Sequence, residues 1–320
     1  MAPVPPTRTV SVVVSVYESA SLLAVVVQRL IAVLEPVVRT FEIILVNDGS
    51  RDSSWDVIDD LSRRDTRVRG IDLARNQGQH NAQLCGFRAA RYDVIVTIDD
   101  DLQQLPEEVI RLLEKYEDGY DVVYGTRGDS QHGLLRWTAA RITKLALQNM
   151  MGAEIAATLS PFRAVRTSIR EAFATFHGPY VNIDVLLTWG TSRFASVPIT
   201  HAPREKGTSH YTLHLLARHA FNMITGFSTL PLKLASLMGF AFTGFGALVL
   251  AFVLIRYLVQ GGAPQGFPFL ASIIAIFSGA QLLALGMIGE YLARMHFRLM
   301  DRPTYVVRRV TGVAAHGVPN

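Results

Sequence analysis

The stretch TVSVVVSVYESASLLAVVVQRLIAVLEPVVRTFEIILVND, residues 9–48, decides the fold. It opens on a run of β-branched residues, continues as an apolar helical pattern, and ends on a second apolar run that stops at Asn47-Asp48. Continuous apolar runs are typical of strands that are covered on both faces of a sheet. The stretch therefore predicts a β-α-β unit with two parallel strands.

The same alternation continues to about residue 130. Further strands are predicted at residues 67–74, 93–99 and 121–127, and helices at residues 50–64, 79–91 and 105–119. This order indicates a parallel sheet between two helix layers, in which ligands bind beyond the carboxyl ends of the strands. We therefore expect a site built from Tyr17-Glu18, Asn47-Asp48, Arg75-Asn76, Asp99–Asp101 and Gly125–Arg127.

Two apolar stretches follow the α/β region. The chain has 320 residues, of which 18% are charged, against roughly 25% in ordinary soluble domains. The deficit comes from residues 234–255 and 267–289, which carry no charge over 22 and 23 residues. Each stretch can cross a hydrocarbon core of roughly 30 Å as a helix. Two buried helices of a soluble domain are the alternative, but such helices rarely avoid charge for so long.

The charge distribution predicts an orientation in the membrane. Basic residues lie before and after the two apolar stretches, whereas only Arg256 lies between them. By the positive-inside rule, the large N-terminal part and the tail are expected in the cytoplasm, with the protein in the inner membrane. The first ten residues contain no apolar core of a signal peptide, and the single Cys85 excludes an internal disulfide. The net charge of +4 indicates attraction to anionic lipid and no nucleic-acid partner.

Three carboxylates end the fourth predicted strand. Asp99, Asp101 and Gln103 offer the oxygen ligands that Mg²⁺ and Mn²⁺ prefer. A solvated acidic turn is the alternative, but the place at the strand ends favours a site for a metal–diphosphate. On an extended backbone Asp99 and Asp101 face the same way, so Asp100 is expected to point away and to be dispensable.

Two further strand ends have both a structural and a functional interpretation. NDGSRD, residues 47–52, fits a turn into a helix N-cap, or an Asp48 carboxylate that accepts a hydrogen bond from a nucleobase. RNQGQHNA, residues 75–82, places an arginine, an asparagine and a glycine where a backbone can approach a ligand closely.

The segments VYE, VNDGSRD, RNQGQHNAQLCGF, DDDLQQLPEE and YGTR, in this order and spacing, resemble the family 2 glycosyltransferases. More narrowly, the chain resembles the polyprenyl-phosphate glycosyltransferases, and the likeness includes REKGTSHY, both apolar stretches and GEYLARMH. The resemblance implies a GT-A fold, a nucleotide-sugar donor with UDP favoured over GDP, an Mg²⁺ or Mn²⁺ ion, and a polyprenyl-phosphate acceptor of undecaprenyl or decaprenyl type.

The resemblance also assigns roles to residues. It implies nucleotide-sugar contacts by Tyr17, Glu18, Asp48, Arg75, Asn76, Gln79, Asp99 and Asp100. It implies metal binding by Asp99, Asp101 and Gln103, and binding of the diphosphate or acceptor phosphate by Arg127, Arg163, Arg204, His210 and Tyr211. Catalysis would depend on Asp99, Asp101, Arg127 and Arg204.

Three departures from the family pattern limit this transfer. The first strand ends Ser15-Val16-Tyr17-Glu18-Ser19 instead of Pro-x-Tyr-Asn-Glu, so Glu18 takes the glutamate role if one residue is deleted and Ser19 occupies it otherwise. The acidic residue that many relatives carry before Phe162-Arg163 is absent, and His210 stands where a lysine is expected. Catalysis without that carboxylate is still expected, because a lipid phosphate with a second pKa of about 6 is already largely dianionic at pH 7 and can attack with inversion.

The predicted organisation has five parts. They are a flexible N-terminus (1–8), a GT-A domain (9–210), an amphipathic juxtamembrane helix (211–232), a two-helix transmembrane hairpin (233–290) and a basic cytoplasmic tail (291–320). Small residues at 271, 275 and 279 would serve the hairpin or a homo-oligomer. RPTYVVRR, residues 302–309, would add an edge strand or bind anionic lipid. A processive polysaccharide synthase and a catalytically silent membrane scaffold are the alternative functions.

Overall fold

A computed structural model describes residues 8–127, 159–178, 181–202, 230–260, 266–300 and 302–312. The predicted juxtamembrane helix at 211–232 lies outside these residues, apart from its last three positions. The chain divides into two compact units, of which the first combines Met1–Thr212 with Asp301–Asn320 and the second is Leu213–Met300. Residues 302–312, which the prediction places in the tail, therefore belong to the same unit as the eight-stranded sheet.

The first unit is built on an eight-stranded sheet with the order β7-β5-β6-β4-β1-β2-β3-β8. Its strands are β1 (Thr9–Val16), β2 (Thr40–Asn47), β3 (Val68–Leu73), β4 (Val94–Asp99), β5 (Val122–Arg127), β6 (Arg163–Arg166), β7 (Phe194–Ile199) and β8 (Val307–Thr311). Neighbours β4, β1, β2 and β3 are parallel, as are β5 and β7, while β6 and β8 are antiparallel to their neighbours. The predicted α/β fold with a mostly parallel sheet is confirmed.

Helices connect the first five strands where the apolar periodicity predicts them, whereas the helix at Ile183–Gly190 was not predicted. The helices of this unit are α1 (Leu23–Leu34), α2 (Ser54–Arg64), α3 (Gln79–Ala89), α4 (Val109–Glu117) and α5 (Ile183–Gly190). Short 3-10 turns span Pro106–Glu108 and Thr167–Phe173, and the first leads directly into α4. After their first residues, Thr9 and Thr40, the strands β1 and β2 are buried along their whole length, as expected for central strands with helices on both faces.

The second unit contains two long apolar helices, α6 (Leu230–Gln260) and α7 (Phe267–Leu299). Within them Leu232–Arg256 and Ile276–Phe297, of 25 and 22 residues, are long and apolar enough to cross a membrane. Large side chains such as Leu248 (72% exposed) lie on the helix surface, as lipid-facing residues would. Phe242 and Phe277 pack edge to face across the pair, with ring centroids 5.5 Å apart.

Residues 307–311, which follow the two apolar helices in the chain, return to the sheet. Residues of β8 pair with β3, with Asp72 opposite Arg309 and Gly70 opposite Thr311. Of the two interpretations of residues 302–309, the edge strand is the one that forms.

Candidate active site

A cavity of about 340 Å³ lies at the carboxyl ends of β1, β2 and β4. The strand register places these three ends at the same edge of the sheet, because Ser15 pairs with Asp99 and Val16 pairs with Asn47. The cavity is lined by Ser15, Val16, Tyr17, Asp48, Asn76, Gly78, Gln79, Asp99, Asp100 and Asp101. Residues that are far apart in the chain therefore meet at the edge of the sheet that the sequence singled out.

Asp99 is held by two glutamine side chains. Gln79 Nε2 donates to Asp99 Oδ1, and Gln104 Nε2 donates to Asp99 Oδ2 at 2.9 Å. Gln104 Oε1 also accepts the Asp99 backbone N–H at 3.0 Å. Burial, together with the neighbouring charges of Asp101 and Asp100, raises the pKa of Asp99 to about 7. The carboxylate is therefore fixed in place but loses its charge easily unless a cation comes close.

Asp100 does not point away from the site, which corrects the prediction from strand alternation. Its Oδ2 accepts the Tyr17 backbone N–H at 3.0 Å and also the Ser19 hydroxyl. Burial is the main cause of the raised pKa of Asp100. The prediction assumed an extended backbone through Asp100, but β4 ends at Asp99. Asp100 instead holds the loop after β1.

Asp101 begins the loop that leaves β4. Its Oδ1 accepts the Gln103 backbone N–H at 3.0 Å, and Leu102 between them has a φ of 57°. This left-handed residue turns the chain between Asp101 and Gln103. The side chain of Gln103 does not line the cavity. Three adjacent carboxylates suit a divalent cation, yet no three acidic, histidine or cysteine side chains of the described residues form a ready metal cluster. An ion here would need further oxygen ligands from a substrate.

Asp48 joins two loops of the cavity. Its Oδ1 accepts the Gln77 N–H at 2.7 Å and its Oδ2 accepts the Gly78 N–H at 2.8 Å. Burial raises its pKa, while these two N–H groups act in the opposite direction. Both carboxylate oxygens therefore have partners already, and a nucleobase would share them.

Gly49 allows the two loops to approach. It has a φ of +65°, and a Cβ there would lie 2.5 Å from the Arg75 carbonyl carbon and from the Asn76 nitrogen. The glycine that the sequence interpretation placed in a turn is thus also required by the close contact between backbones.

Other predicted residues lie at or beyond the border of the cavity. Glu18 has a φ of 54° and its N–H donates to Ser50 Oγ at 3.0 Å, and neither Glu18 nor the exposed Arg75 lines the cavity. Arg127 is the last residue of β5, at the same edge of the sheet. Arg204, His210 and Tyr211 lie outside the described residues.

Arg163 has a different environment from the one predicted for a phosphate ligand. It is fully buried in β6, where it forms an ion pair with Asp184 and donates from Nη2 to Gln83 Oε1 at 2.8 Å. Its Nε donates to Thr97 Oγ1 at 3.2 Å. Because these contacts occupy the guanidinium inside the domain, we leave Arg163 out of the phosphate-binding set.

Sequence reasoning missed Gln104, the contact of Ser19 with Asp100 and the Arg163–Asp184 pair. Gln104 is next to the predicted ligand Gln103, and the sequence alone does not say which of the two side-chain amides turns towards Asp99. Asp184 lies 21 residues after Arg163, so that no local spacing connects the two. An arginine inside an apolar strand was the available signal, because a buried guanidinium needs a carboxylate partner.

Comparisons with known proteins agree on the family. Residues 11–174 match the family described as glycosyl transferase family 2. The undecaprenyl-phosphate 4-deoxy-4-formamido-L-arabinose transferase of Pseudomonas aeruginosa (strain LESB58) is 36% identical over 318 residues, which cover 98% of this chain and 94% of that protein. The transferase of the same description from Yersinia pestis (strain Pestoides F) is 35% identical, over 96% of this chain and 95% of that one.

Two solved structures are similar to part of this chain. Mannosyl-3-phosphoglycerate synthase from Rubrobacter xylanophilus has a TM-score of 0.49 and 18% identity, over 68% of this chain and 72% of that one. Glucosyl-3-phosphoglycerate synthase from Mycobacterium tuberculosis, in a complex with Mn²⁺, UDP-glucose and phosphoglyceric acid, has the same TM-score of 0.49 and 18% identity, over 68% and 79% of the two chains.

Proposed function

The chain belongs to glycosyl transferase family 2, and on this basis we propose that it transfers a sugar from a nucleotide-sugar to the phosphate of undecaprenyl phosphate. The observation that carries the proposal is the match to undecaprenyl-phosphate sugar transferases over 98% of this chain. An arabinose derivative linked to UDP is the first donor to test, because the relatives' names specify a 4-deoxy-4-formamido-L-arabinose. The product would serve modification of the cell envelope.

The proposed donor site is the cavity at the strand ends. Tyr17, Asp48 and Asn76 surround the part that we assign to the nucleoside, and Asp99 to Asp101 lie on the side that we assign to the diphosphate. Because Asp48 is fixed by the amides of Gln77 and Gly78, the loop that contacts the donor needs little ordering when it binds.

A divalent cation fits the carboxylates of this site. Asp99 and Asp101 are proposed to hold Mg²⁺ or Mn²⁺, and the side chain of Gln103, which does not line the cavity in this structure, would turn towards the ion to add an oxygen. The raised pKa of Asp99 supports this proposal, since adjacent buried carboxylates gain most from a cation. When bound, the ion would neutralise charge that develops on the leaving diphosphate. Arg127 and Arg204 are proposed to add positive charge for the same purpose.

The acceptor needs no general base in this proposal. The dianionic lipid phosphate attacks the anomeric carbon, an oxygen–carbon bond forms, and the bond to the nucleoside diphosphate breaks with inversion. His210 and Tyr211 are proposed to bind the acceptor phosphate. Placing both reactants in line is the main contribution of the protein to such a step.

The return of β8 to the sheet supports the proposed membrane topology. Because β8 pairs with β3, the residues after the two apolar helices lie on the same side of a membrane as the catalytic domain. That requires an even number of crossings, as in a hairpin. From the basic residues on both flanks we propose that this side is the cytoplasm.

The test is transfer by the purified protein in lipid nanodiscs. Radiolabelled UDP-sugars, undecaprenyl phosphate and Mn²⁺ should give a butanol-soluble, acid-labile product with inverted anomeric configuration, and EDTA should stop its formation. A labelled polymer would instead indicate a processive synthase, and no turnover with any donor would indicate a silent scaffold. Retained configuration would contradict the single displacement.

A further inference from the structure

The last described segment, residues 302–312, is built into the catalytic domain. Thr304 and Tyr305 are buried, and Arg88 lies over the Tyr305 ring at 5.6 Å. Thr311 Oγ1 donates to Asp59 Oδ1 on α2 at 2.8 Å. One contact precedes β8 and the other is made by its last residue, so together they fix the position of β8 along β3.

Arg309 of β8 forms the shorter of two ion pairs with a buried carboxylate, since Arg308 Nη1 lies 3.9 Å from Asp72 Oδ2. Arg309 Nε and Nη2 donate to Asp72 Oδ2 at 3.0 and 2.8 Å, and its guanidinium lies 4.7 Å from the Trp55 ring centroid. Asp72 is 1% exposed, so Arg309 is the partner that a buried carboxylate needs.

Asp72 passes this contact on to the cavity. Its Oδ1 accepts from Asn47 Nδ2 at 2.7 Å, and Asn47 Oδ1 accepts the Ser50 N–H at 3.4 Å. Asn47 immediately precedes Asp48, which lines the cavity. The chain of contacts from Arg309 therefore ends on the loop that carries Asp48.

Residues 302–312 also contact the second loop of the cavity, which follows β3. The Ala74 N–H donates to the Val306 carbonyl at 2.8 Å, and Arg308 Nη2 donates to the Ala74 carbonyl at 2.5 Å. Ala74 is the first residue after β3, and the segment that it begins leads to Asn76 and Gly78 at the cavity. Residues 302–312 therefore contact the start of both loops that Asp48 connects, the one after β2 and the one after β3.

We propose that residues 302–312 position the donor-binding loops, and that Arg309 is a positioning residue for the nucleoside diphosphate through Asp72 and Asn47. This inference rests on the proposed function of the cavity as the donor site. The segment that follows the second apolar helix in the chain would therefore complete the loops that hold the donor.

The test uses the full-length protein in nanodiscs and UDP with Mn²⁺ as the ligand, measured by isothermal titration calorimetry. Arg309→Ala should raise the UDP dissociation constant about tenfold, with the number of sites unchanged, since about 1.4 kcal/mol corresponds to a tenfold change. Arg302→Ala removes the same charge from an exposed position of the same segment and should change the constant less than twofold.

A second substitution separates positioning from folding. Asp72→Asn removes the buried charge but leaves a carbonyl oxygen for Asn47, so that adding it to Arg309→Ala should restore UDP affinity to within about threefold. Arg309→Lys keeps the positive charge and should lie between Arg309→Ala and the wild type. This variant serves where Arg309→Ala does not fold.

The outcomes distinguish the two levels of the proposal. A variant that lowers the melting temperature or the number of sites, but leaves the UDP dissociation constant unchanged, would overturn the positioning role. An Arg302→Ala effect as large as that of Arg309→Ala would overturn it too, because general attraction would then explain both. If the wild-type protein bound neither UDP nor a UDP-sugar, the donor site itself would be refuted, and this inference with it.

Discussion

Replacing Asp99 with asparagine should stabilise the protein while it abolishes transfer. Burial and the adjacent carboxylates raise the pKa of Asp99 from 3.8 to about 7. At about 1.4 kcal/mol for each pKa unit, keeping this group ionised at pH 8 costs on the order of 4 kcal/mol. The amide keeps one acceptor oxygen, so one of the two glutamine donors loses its partner at a cost of about 1 kcal/mol.

The remaining gain is about 2–3 kcal/mol at pH 8, because the exposed part of the site is solvated and reduces the penalty. For a domain of this size it corresponds to a rise in melting temperature on the order of 5–10 °C. The gain depends on pH in a definite direction. A carboxyl whose folded-state pKa is raised binds its proton more tightly in the folded state, so stability falls as the pH rises from about 4 to 7. Near pH 4 the variant and the wild type should therefore melt at similar temperatures.

The assay is tryptophan-detected thermal unfolding in nanodiscs at pH 4.5 and pH 8, with and without Mn²⁺. Mn²⁺ should raise the melting temperature of the wild type at pH 8 and have little effect on Asp99→Asn. Glu114→Gln, which changes an exposed carboxylate on α4, is the matched control and should shift neither value. A lower melting temperature for Asp99→Asn at pH 8, or an equal gain at both pH values, would refute the reasoning.

Further substitutions test the rest of the site. Asp101→Ala should lose nearly all transfer activity, whereas Asp100→Ala should raise the donor KM about tenfold, because the loop after β1 loses a charged acceptor worth about 1.5–3 kcal/mol; steady-state kinetics with both variants would contradict this if Asp100→Ala were silent. Gly49→Ala should destabilise the domain by about 2 kcal/mol or more, since its Cβ would meet two backbone atoms at 2.5 Å. Gly78→Ala is the control, because its φ of +91° is also left-handed but no atom lies within 4 Å of the added Cβ; equal melting temperatures for the two glycine variants would show that the contact is unimportant. Gln104→Ala should lower kcat/KM about tenfold by releasing Asp99, and an unchanged value would assign that task to Gln79 alone.

Much of the architecture follows from local pattern. The β-branched runs of β1 and β2, the helical spacing of α1 and the two uncharged stretches predict the strands, helices and apolar spans, because burial on both faces or in lipid requires apolar residues at those periods. The rule that ligands bind beyond parallel strand ends also selects Tyr17, Asp48, Asn76 and Asp99 to Asp101 in advance.

The sequence by itself therefore determined the α/β class, the apolar hairpin and the edge of the sheet where the chemistry lies. Tertiary structure alone decided which side chains turn into that edge. Asp100 holds the β1 loop, Gln104 rather than its neighbour holds Asp99, and Arg163 pairs with Asp184 inside the domain. It also brought Arg309 to Asp72, 237 residues earlier in the chain. The physical reason is that periodicity records burial within one element, whereas hydrogen bonds and ion pairs depend on where separate elements meet.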